Sequence, residues 1–102
     1  AWGPFRDVDL RPQVGCAVTG PVMQLPGGVL AFDYESWKEY DDPSPGVHVA
    51  SLRFSHDGGA TWPEMAVVAA DPAARVFYWD HRIARHPETG RLVAMFWTHD
   101  RP

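Results

Sequence analysis

The chain has 102 residues, which is room for one domain. Thirteen acidic and nine basic residues give a formal net charge of −4, and Lys38 is the only lysine, so we expect no nucleic-acid-binding surface. The single cysteine, Cys16, excludes an internal disulfide framework and a thiolate zinc cluster. No apolar run approaches the roughly 20 residues of a membrane span, so no membrane contact is expected. Residues 1–10 lack the features of a signal peptide, and the sequence does not indicate a cellular compartment.

Short apolar runs separated by turn residues predict an all-β fold. The chain contains ten prolines, nine glycines, five tryptophans and five phenylalanines, a composition that favours many brief strands over long helices. The first predicted hairpin joins residues 22–25 to residues 29–34 through the turn at 26–28. These two strands begin the predicted sheet.

The next segment is a polar loop followed by two more strands. Residues 35–46 carry acids and prolines and predict a loop. Residues 47–54 alternate polar and apolar side chains, as a partly buried strand does, and residues 65–69 predict a further strand. Four antiparallel strands result, with the octet at 55–62 joining the third to the fourth.

The strand pattern restarts in the last third of the chain. Residues 81–85 and 92–97 predict a hairpin around a turn at 87–90 that resembles the first hairpin, which indicates an internal repeat. Asp71 followed by Pro72 is also a good helix start, so a helix from residue 72 onward is the alternative. The aromatic run at 77–79 favours strand, and a single turn at 72–75 would satisfy both interpretations.

The octet at residues 55–62, Ser-His-Asp-Gly-Gly-Ala-Thr-Trp, is the most informative segment. Gly58 and Gly59 permit the positive φ angles of a tight turn, and the Asp57 carboxylate can accept hydrogen bonds from backbone N–H groups of the same loop. Trp62 can then hold the loop against a sheet. The alternative is an ordinary hairpin turn in which these residues occur together by chance.

The octet resembles the Asp-box, Ser-x-Asp-x-Gly-x-x-Trp, of sialidases and bacterial neuraminidase repeat proteins. Ser55, Asp57, Gly59 and Trp62 occupy the pattern's four positions and are our structural Asp-box residues. The resemblance implies an all-β propeller built from antiparallel four-stranded blades. It also implies that Asp57 serves the fold and not the chemistry.

The chain is several times shorter than a complete sialidase-like propeller. At about 40 to 50 residues per blade it holds about two blades. We expect a single domain or fragment over 1–102, with the Asp-box in a first blade at 20–70 and a partial second blade at 77–102. Exposed strand edges would then pair with neighbouring blades or with further copies in a homo-oligomer.

Connections alternate ends in an antiparallel blade, which places two groups of loops. The Asp-box and the turn at 26–28 share one end, and residues 35–46, 71–80 and 99–101 share the other. We expect the site at the second end. A carbohydrate, in particular an acidic sugar, is the expected ligand, because aromatic rings stack on sugars while charged groups take their polar atoms. The candidate substrate-binding residues are Trp37, Tyr40, Tyr78 and Trp79.

The resemblance also implies candidate catalytic residues. Sialidases hold the ligand carboxylate with three arginines, and His81-Arg82-Ile83-Ala84 matches only the Arg and Ile of the first arginine motif. Asp80, Arg82 and Glu35 are the catalytic candidates, with Asp33, Tyr34 and Tyr78 also carrying suitable groups. A complete site needs more blades. The parent would therefore be an exo-alpha-sialidase type glycoside hydrolase, and the alternative is a non-catalytic carbohydrate-binding or self-assembling module.

No metal site or cofactor is expected. The five histidines are scattered without zinc-site spacing, and the paired glycines lack the following helix and lysine of a phosphate loop. Ser55, His56 and Asp57 are sequence neighbours, a relation that indicates nothing about a catalytic triad.

Overall fold

The fold is all-β and antiparallel, as the sequence predicts. The computed structural model describes residues 2–102. Seven strands follow one another along the chain; they are β1 (Ala17–Val18), β2 (Met23–Gln24), β3 (Leu30–Ser36), β4 (Val49–Ser55), β5 (Glu64–Ala70), β6 (Val76–Arg85) and β7 (Leu92–Asp100). A short 3-10 turn, Pro26–Gly28, joins β2 to β3. The described residues contain no α-helix, so the helix considered from residue 72 does not form.

Strands β1 to β5 form one antiparallel sheet. Its order is β1-β3-β4-β5, with β2 pairing β3 at the same edge as β1. Ala17 pairs with Glu35 and Met23 pairs with Ala31, so the two short strands are halves of one interrupted edge strand. The sequence predicted this first strand only at 22–25. The β4 strand starts two residues later than predicted and ends at Ser55.

Strands β6 and β7 form a separate two-stranded antiparallel sheet. The β6 strand is longer than predicted, because residues 77–79 belong to it and not to a loop. Its register shifts between Trp79 and Arg82, where Asp80 and His81 oppose a single residue of β7. Asp80 has φ of 57°, a value that aspartate tolerates better than most residues. The result is a bulge in the middle of β6.

The expected division of the loops between two ends is confirmed for the first sheet. Leu30 pairs with Ser55, which puts Pro26–Gly28 and the octet at one end. Ser36 pairs with Val49, and Val49 with Ala70, which puts residues 37–48 and the turn at 71–75 at the other. The expected placement of residues 35–36, 76–80 and 99–100 in this second group of loops is wrong. Residues 35–36 end β3, the bulged β6 strand extends through 76–80, and β7 includes 99–100.

The strands β3 and β4 are covered on both faces and form the centre of the molecule, whereas β1, β2 and the first half of β5 are largely exposed. Phe32 lies opposite Arg53 on one face, and Asp33 lies opposite Leu52 on the other. The buried apolar residues are Ala31, Phe32, Tyr34, Ala50, Leu52 and Phe77. The partly buried strand predicted at 47–54 is most fully buried over residues 50–53, where the polar Ser51 and Arg53 are buried as well.

No closed sheet is present in residues 2–102, and the expected propeller blades stay a prediction. The β5 strand pairs only with β4, and β7 pairs only with β6. Each of these strands has one free edge.

Candidate functional site

The octet at 55–62 folds into a turn organised by the Asp57 carboxylate. Oδ1 of Asp57 accepts the Thr61 backbone N–H at 2.9 Å, and Oδ2 accepts the Thr61 hydroxyl at 2.6 Å. The Ser55 hydroxyl donates to Oδ1 at 2.8 Å. These bonds stabilise the charged carboxylate, and the Thr61 hydroxyl contributes most, so the pKa of Asp57 falls to about 2.

Ser55 and Trp62 fix the two ends of this turn. The Ser55 hydroxyl oxygen accepts the Gly59 backbone N–H at 2.9 Å, and the Trp62 indole N–H donates to the Gly59 carbonyl at 3.1 Å. The Trp62 ring meets Phe32 edge to face at 4.8 Å between ring centroids. Gly59 has φ of 93°, which a residue with a side chain would adopt only with strain. The turn is thereby fastened to the β3 face.

Glu35 connects the sheet to the β6–β7 hairpin. Its Oε1 atom accepts the His81 backbone N–H at 2.8 Å, and its Oε2 atom lies 3.3 Å from Nε2 of His48. Glu35 is buried. Both carboxylate oxygens are therefore occupied by structural partners, one on β6 and one in the loop at 37–48.

His48 is buried beside Glu35 in a defined tautomer. Its Nδ1 atom accepts the Tyr78 backbone N–H at 3.3 Å, which leaves the ring proton on Nε2, facing Glu35. An imidazolium could not accept that bond. Burial lowers the pKa of His48 and outweighs the raising effect of Glu35. The ring packs against Trp79 at 4.2 Å between centroids.

His81 lies in the β6 bulge and is completely buried. Its ring stacks on Phe96 at 4.7 Å, and neither ring nitrogen has a hydrogen-bond partner. Burial lowers the pKa of His81, against the opposing charges of Asp33 and Glu35. The Thr19 hydroxyl donates to the His81 carbonyl at 2.8 Å, which ties the bulge to the break between β1 and β2.

Arg53 is a buried organising residue that sequence reasoning missed. Its Nη2 atom donates to the carbonyls of Leu10 and Arg11, each at 2.9 Å, and its Nε atom donates to the Tyr34 hydroxyl at 3.1 Å. The guanidinium thus holds the segment around residues 10–13 over one sheet face. Arg53 is the one Lys, Arg, Asp or Glu in the predicted strand at 47–54, which is the signal that could have identified it.

The catalytic candidates do not form one open site. Glu35 is buried and bonded as described above. Asp80 and Arg82 are about half exposed on the hairpin, and their side chains form an ion pair at 3.4 Å. They line a cavity of about 430 Å³ with Met95, Phe96 and Trp97.

Two of the substrate-binding candidates share a second cavity, at the end of the sheet where residues 37–48 lie. Trp37 and Tyr40 line a volume of about 550 Å³ together with Gly15, Lys38 and Glu39. The Tyr40 ring is fully exposed. The Trp37 indole N–H donates to the Pro45 carbonyl at 3.1 Å, and Nζ of Lys38 lies 4.9 Å from the centroid of the Trp37 ring. We call this cavity the aromatic pocket.

The other two candidates, Tyr78 and Trp79, are separated by the alternation of β6. Tyr78 lines a third cavity of about 420 Å³ with Asp71, Arg75 and Asp100 among its neighbours. The Trp79 ring packs edge to face on Trp37 at 6.1 Å between centroids. Trp79 therefore supports the back of the Trp37 ring, and only Trp37 and Tyr40 form a shared surface.

Among residues 2–102 no cluster of three or more His, Cys, Asp and Glu side chains is arranged to hold a metal ion. Within that same range no helix is long and apolar enough to cross a membrane. Comparisons with protein-family models, with curated proteins and with solved structures find no match to this chain. A proposal on function therefore depends on the octet and on the geometry described above.

Proposed function

We propose that this chain is an Asp-box unit of a sialidase-like β-propeller, of the exo-alpha-sialidase type, whose active site is not assembled by these residues alone. The observation that carries the proposal is the turn at 55–62. Asp57 accepts two bonds from Thr61, and Trp62 is clamped between the turn and Phe32. Every residue of the Asp-box pattern thus has a structural contact that accounts for its chemical type.

The position of this turn in the sheet supports the same proposal. It joins β4 to β5, the third and fourth strands when β1 and β2 are counted as one. It lies at the opposite end of the sheet from the aromatic pocket. The resemblance implies that Asp57 stabilises the fold and takes no part in chemistry. A turn at the end of the sheet opposite the proposed ligand site agrees with that role.

The ligand we propose is a carbohydrate with a carboxylate, bound in the aromatic pocket. The exposed Tyr40 ring offers a stacking face, and Glu39 offers a hydrogen-bond acceptor for sugar hydroxyls. Nζ of Lys38 donates to the carbonyls of Asp42 and Ser44. An ammonium group has three donors, so one remains to meet a ligand carboxylate.

Binding without turnover is the form of this function that the geometry favours for the chain by itself. A retaining or inverting glycosidase places two catalytic groups across one bond, usually within about 10 Å, in one accessible site. Here Glu35 is buried under the hairpin, and Asp80 is paired with Arg82 at a different cavity. The alternative, a non-catalytic carbohydrate-binding or self-assembling module, makes the same prediction for the isolated chain.

Titration with sialyllactose and with lactose, beside a fluorogenic sialoside assay, tests the proposal. We expect binding of sialyllactose but not of lactose, at least tenfold weaker binding in Tyr40→Ala, and no turnover. Phe5→Ala is the matched control, because Phe5 is an equally exposed ring outside the pocket. Equal affinity for both sugars, or no effect of Tyr40→Ala, would contradict the proposed ligand. Turnover that is lost in Arg82→Ala would assign catalysis to this chain.

A further inference from the structure

Arg101 lies at the end of the β6–β7 hairpin that adjoins the turn at 71–75. Val76 pairs with Asp100, and the Arg101 backbone N–H donates to the Arg75 carbonyl at 2.6 Å. These contacts fix the end of β7 next to the start of β6. Arg101 is therefore placed at the end of the structure where the sequence predicted the ligand.

The Arg101 guanidinium lies over the aromatic cluster behind the aromatic pocket. Its Cζ atom is 5.5 Å from the centroid of the Phe77 ring. The Phe77 ring meets the Trp37 ring edge to face at 5.6 Å between centroids, and Trp37 lines the pocket. Attraction between a cation and an aromatic face helps to hold an arginine in such a position. The guanidinium is thus one ring away from the pocket.

The hydrogen-bond donors of this guanidinium are not used by the protein. Within residues 2–102 the Arg101 side chain forms no ion pair and no hydrogen bond, and the residue is exposed. By contrast, Arg82 is paired with Asp80. A guanidinium carries five N–H donors in a planar fork that matches a carboxylate. All of them are available to a ligand.

The adjacent Asp100 does not neutralise Arg101, because the two side chains lie on different faces of the hairpin. The His99 ring meets Phe77 at 6.1 Å between centroids, so His99 and Arg101 share the face of Phe77. Asp100 lies between them in the chain and lines the cavity beside Tyr78. The positive charge of Arg101 therefore stays available on the side of the aromatic pocket.

Two cations contact neighbouring rings of the same aromatic cluster. Nζ of Lys38 lies 4.9 Å from the centroid of Trp37, and Cζ of Arg101 lies 5.5 Å from that of Phe77. A single acidic sugar has one carboxylate, which one of these cations is sufficient to bind. An oligosaccharide with two carboxylates would engage both.

We propose that Arg101 binds a second anionic group of the ligand, so that the aromatic pocket takes an oligosaccharide with two acidic sugars. This inference rests on the proposed function and narrows its ligand class. One carboxylate meets Nζ of Lys38, and the other meets the planar fork of Arg101. The rings of Trp37 and Tyr40 contact the apolar faces of the sugars.

Titration of the full chain with sialyllactose and with disialyllactose, which has one more carboxylate, tests the inference. We expect the wild type to bind disialyllactose at least tenfold more tightly than sialyllactose. This preference should fall below twofold in Arg101→Gln and in Arg101→Met. Arg101→Met keeps an unbranched side chain to cover Phe77, so its effect reports the loss of charge.

Arg91→Gln is the matched control. Arg91 is an exposed arginine at the opposite end of the hairpin, where Arg85 pairs with Leu92. Its replacement removes the same charge from the chain and should leave the preference for disialyllactose at least tenfold.

Two results would overturn the inference and leave the proposed function standing. One is equal affinity of the wild type for the two sugars. The other is a preference for disialyllactose that persists in both Arg101 variants, because the second carboxylate would then bind elsewhere and Arg101 would only cover Phe77. Binding of neither sugar would reject the proposed ligand and this inference together.

Discussion

The Glu35 carboxylate accepts the His81 backbone N–H at 2.8 Å and so anchors the β6 bulge to the C-terminal end of β3. Because of the bulge, the His81 N–H is not part of the regular pairing with β7. Without Glu35 this N–H would have no acceptor. A buried N–H without an acceptor is costly. Glu35, one of the catalytic candidates from the sequence, therefore belongs to the joint between the sheet and the hairpin.

Replacing Glu35 should loosen this joint. Glu35→Ala leaves the His81 N–H and the His48 ring without their acceptor, and we expect the free energy of unfolding to fall by about 2–3 kcal/mol. Glu35→Gln keeps an acceptor oxygen and should lose less. Urea denaturation measures both, with the exposed Glu88→Ala as control. An unchanged midpoint for Glu35→Ala would show that the joint does not depend on this carboxylate.

Acid should destabilise the fold through His48 and His81. Burial lowers the pKa of both below the ordinary 6.5, so the folded state holds them neutral. The unfolded chain takes up protons first, and stability should be full above pH 6.5 and decrease as the pH falls below it. The slope is at most about 1.4 kcal/mol per pH unit for each histidine. Urea denaturation between pH 7.5 and pH 5 measures it.

His81→Phe separates the contributions of the two histidines. The side chain has no hydrogen-bond partner and stacks on Phe96, so a phenyl ring should fit and remove one titrating group. We expect a shallower loss of stability in acid than in the wild type. The exposed His99→Phe is the matched control for replacing an imidazole by a phenyl ring. If the stability of His81→Phe depended on pH as steeply as that of the wild type, protonation of His81 would not contribute to the loss of stability in acid.

The Asp57 turn should respond to the loss of its acceptor and to the loss of glycine. Asp57→Ala removes the partner of both Thr61 donors, and we expect a lower urea midpoint than for Asp57→Asn, which retains one acceptor oxygen. Gly59→Ala forces a side chain to φ of 93° and should cost about 1 kcal/mol. A midpoint in Asp57→Ala equal to that of the wild type would reject the turn lock.

Arg53 should hold the N-terminal segment in place. Arg53→Lys loses the planar fork that reaches the Leu10 and Arg11 carbonyls, and we expect about 3 kcal/mol of destabilisation together with faster proteolysis around residues 6–13. The exposed Arg6→Lys is the control. Unaltered cleavage in Arg53→Lys would show that other contacts hold this segment.

The local residue types were sufficient to predict the strands, the turns and the two groups of loops. Gly58, Gly59 and Pro26 mark turns whatever the strands around them do, and the β3 and β4 patterns require a covered face. The β6 bulge and the burial of Glu35, His48 and His81 could not be predicted in this way. They depend on the packing of the hairpin over the sheet, a contact between residues far apart in the chain.

Proton NMR of the Trp62 side chain tests the central claim most directly. The indole N–H donates to the Gly59 carbonyl, and the ring meets Phe32 edge to face at 4.8 Å. We predict slow exchange of the indole proton with solvent and nuclear Overhauser contacts between the Trp62 and Phe32 rings. Rapid exchange with no contact to Phe32 would contradict an Asp-box turn fastened to the sheet.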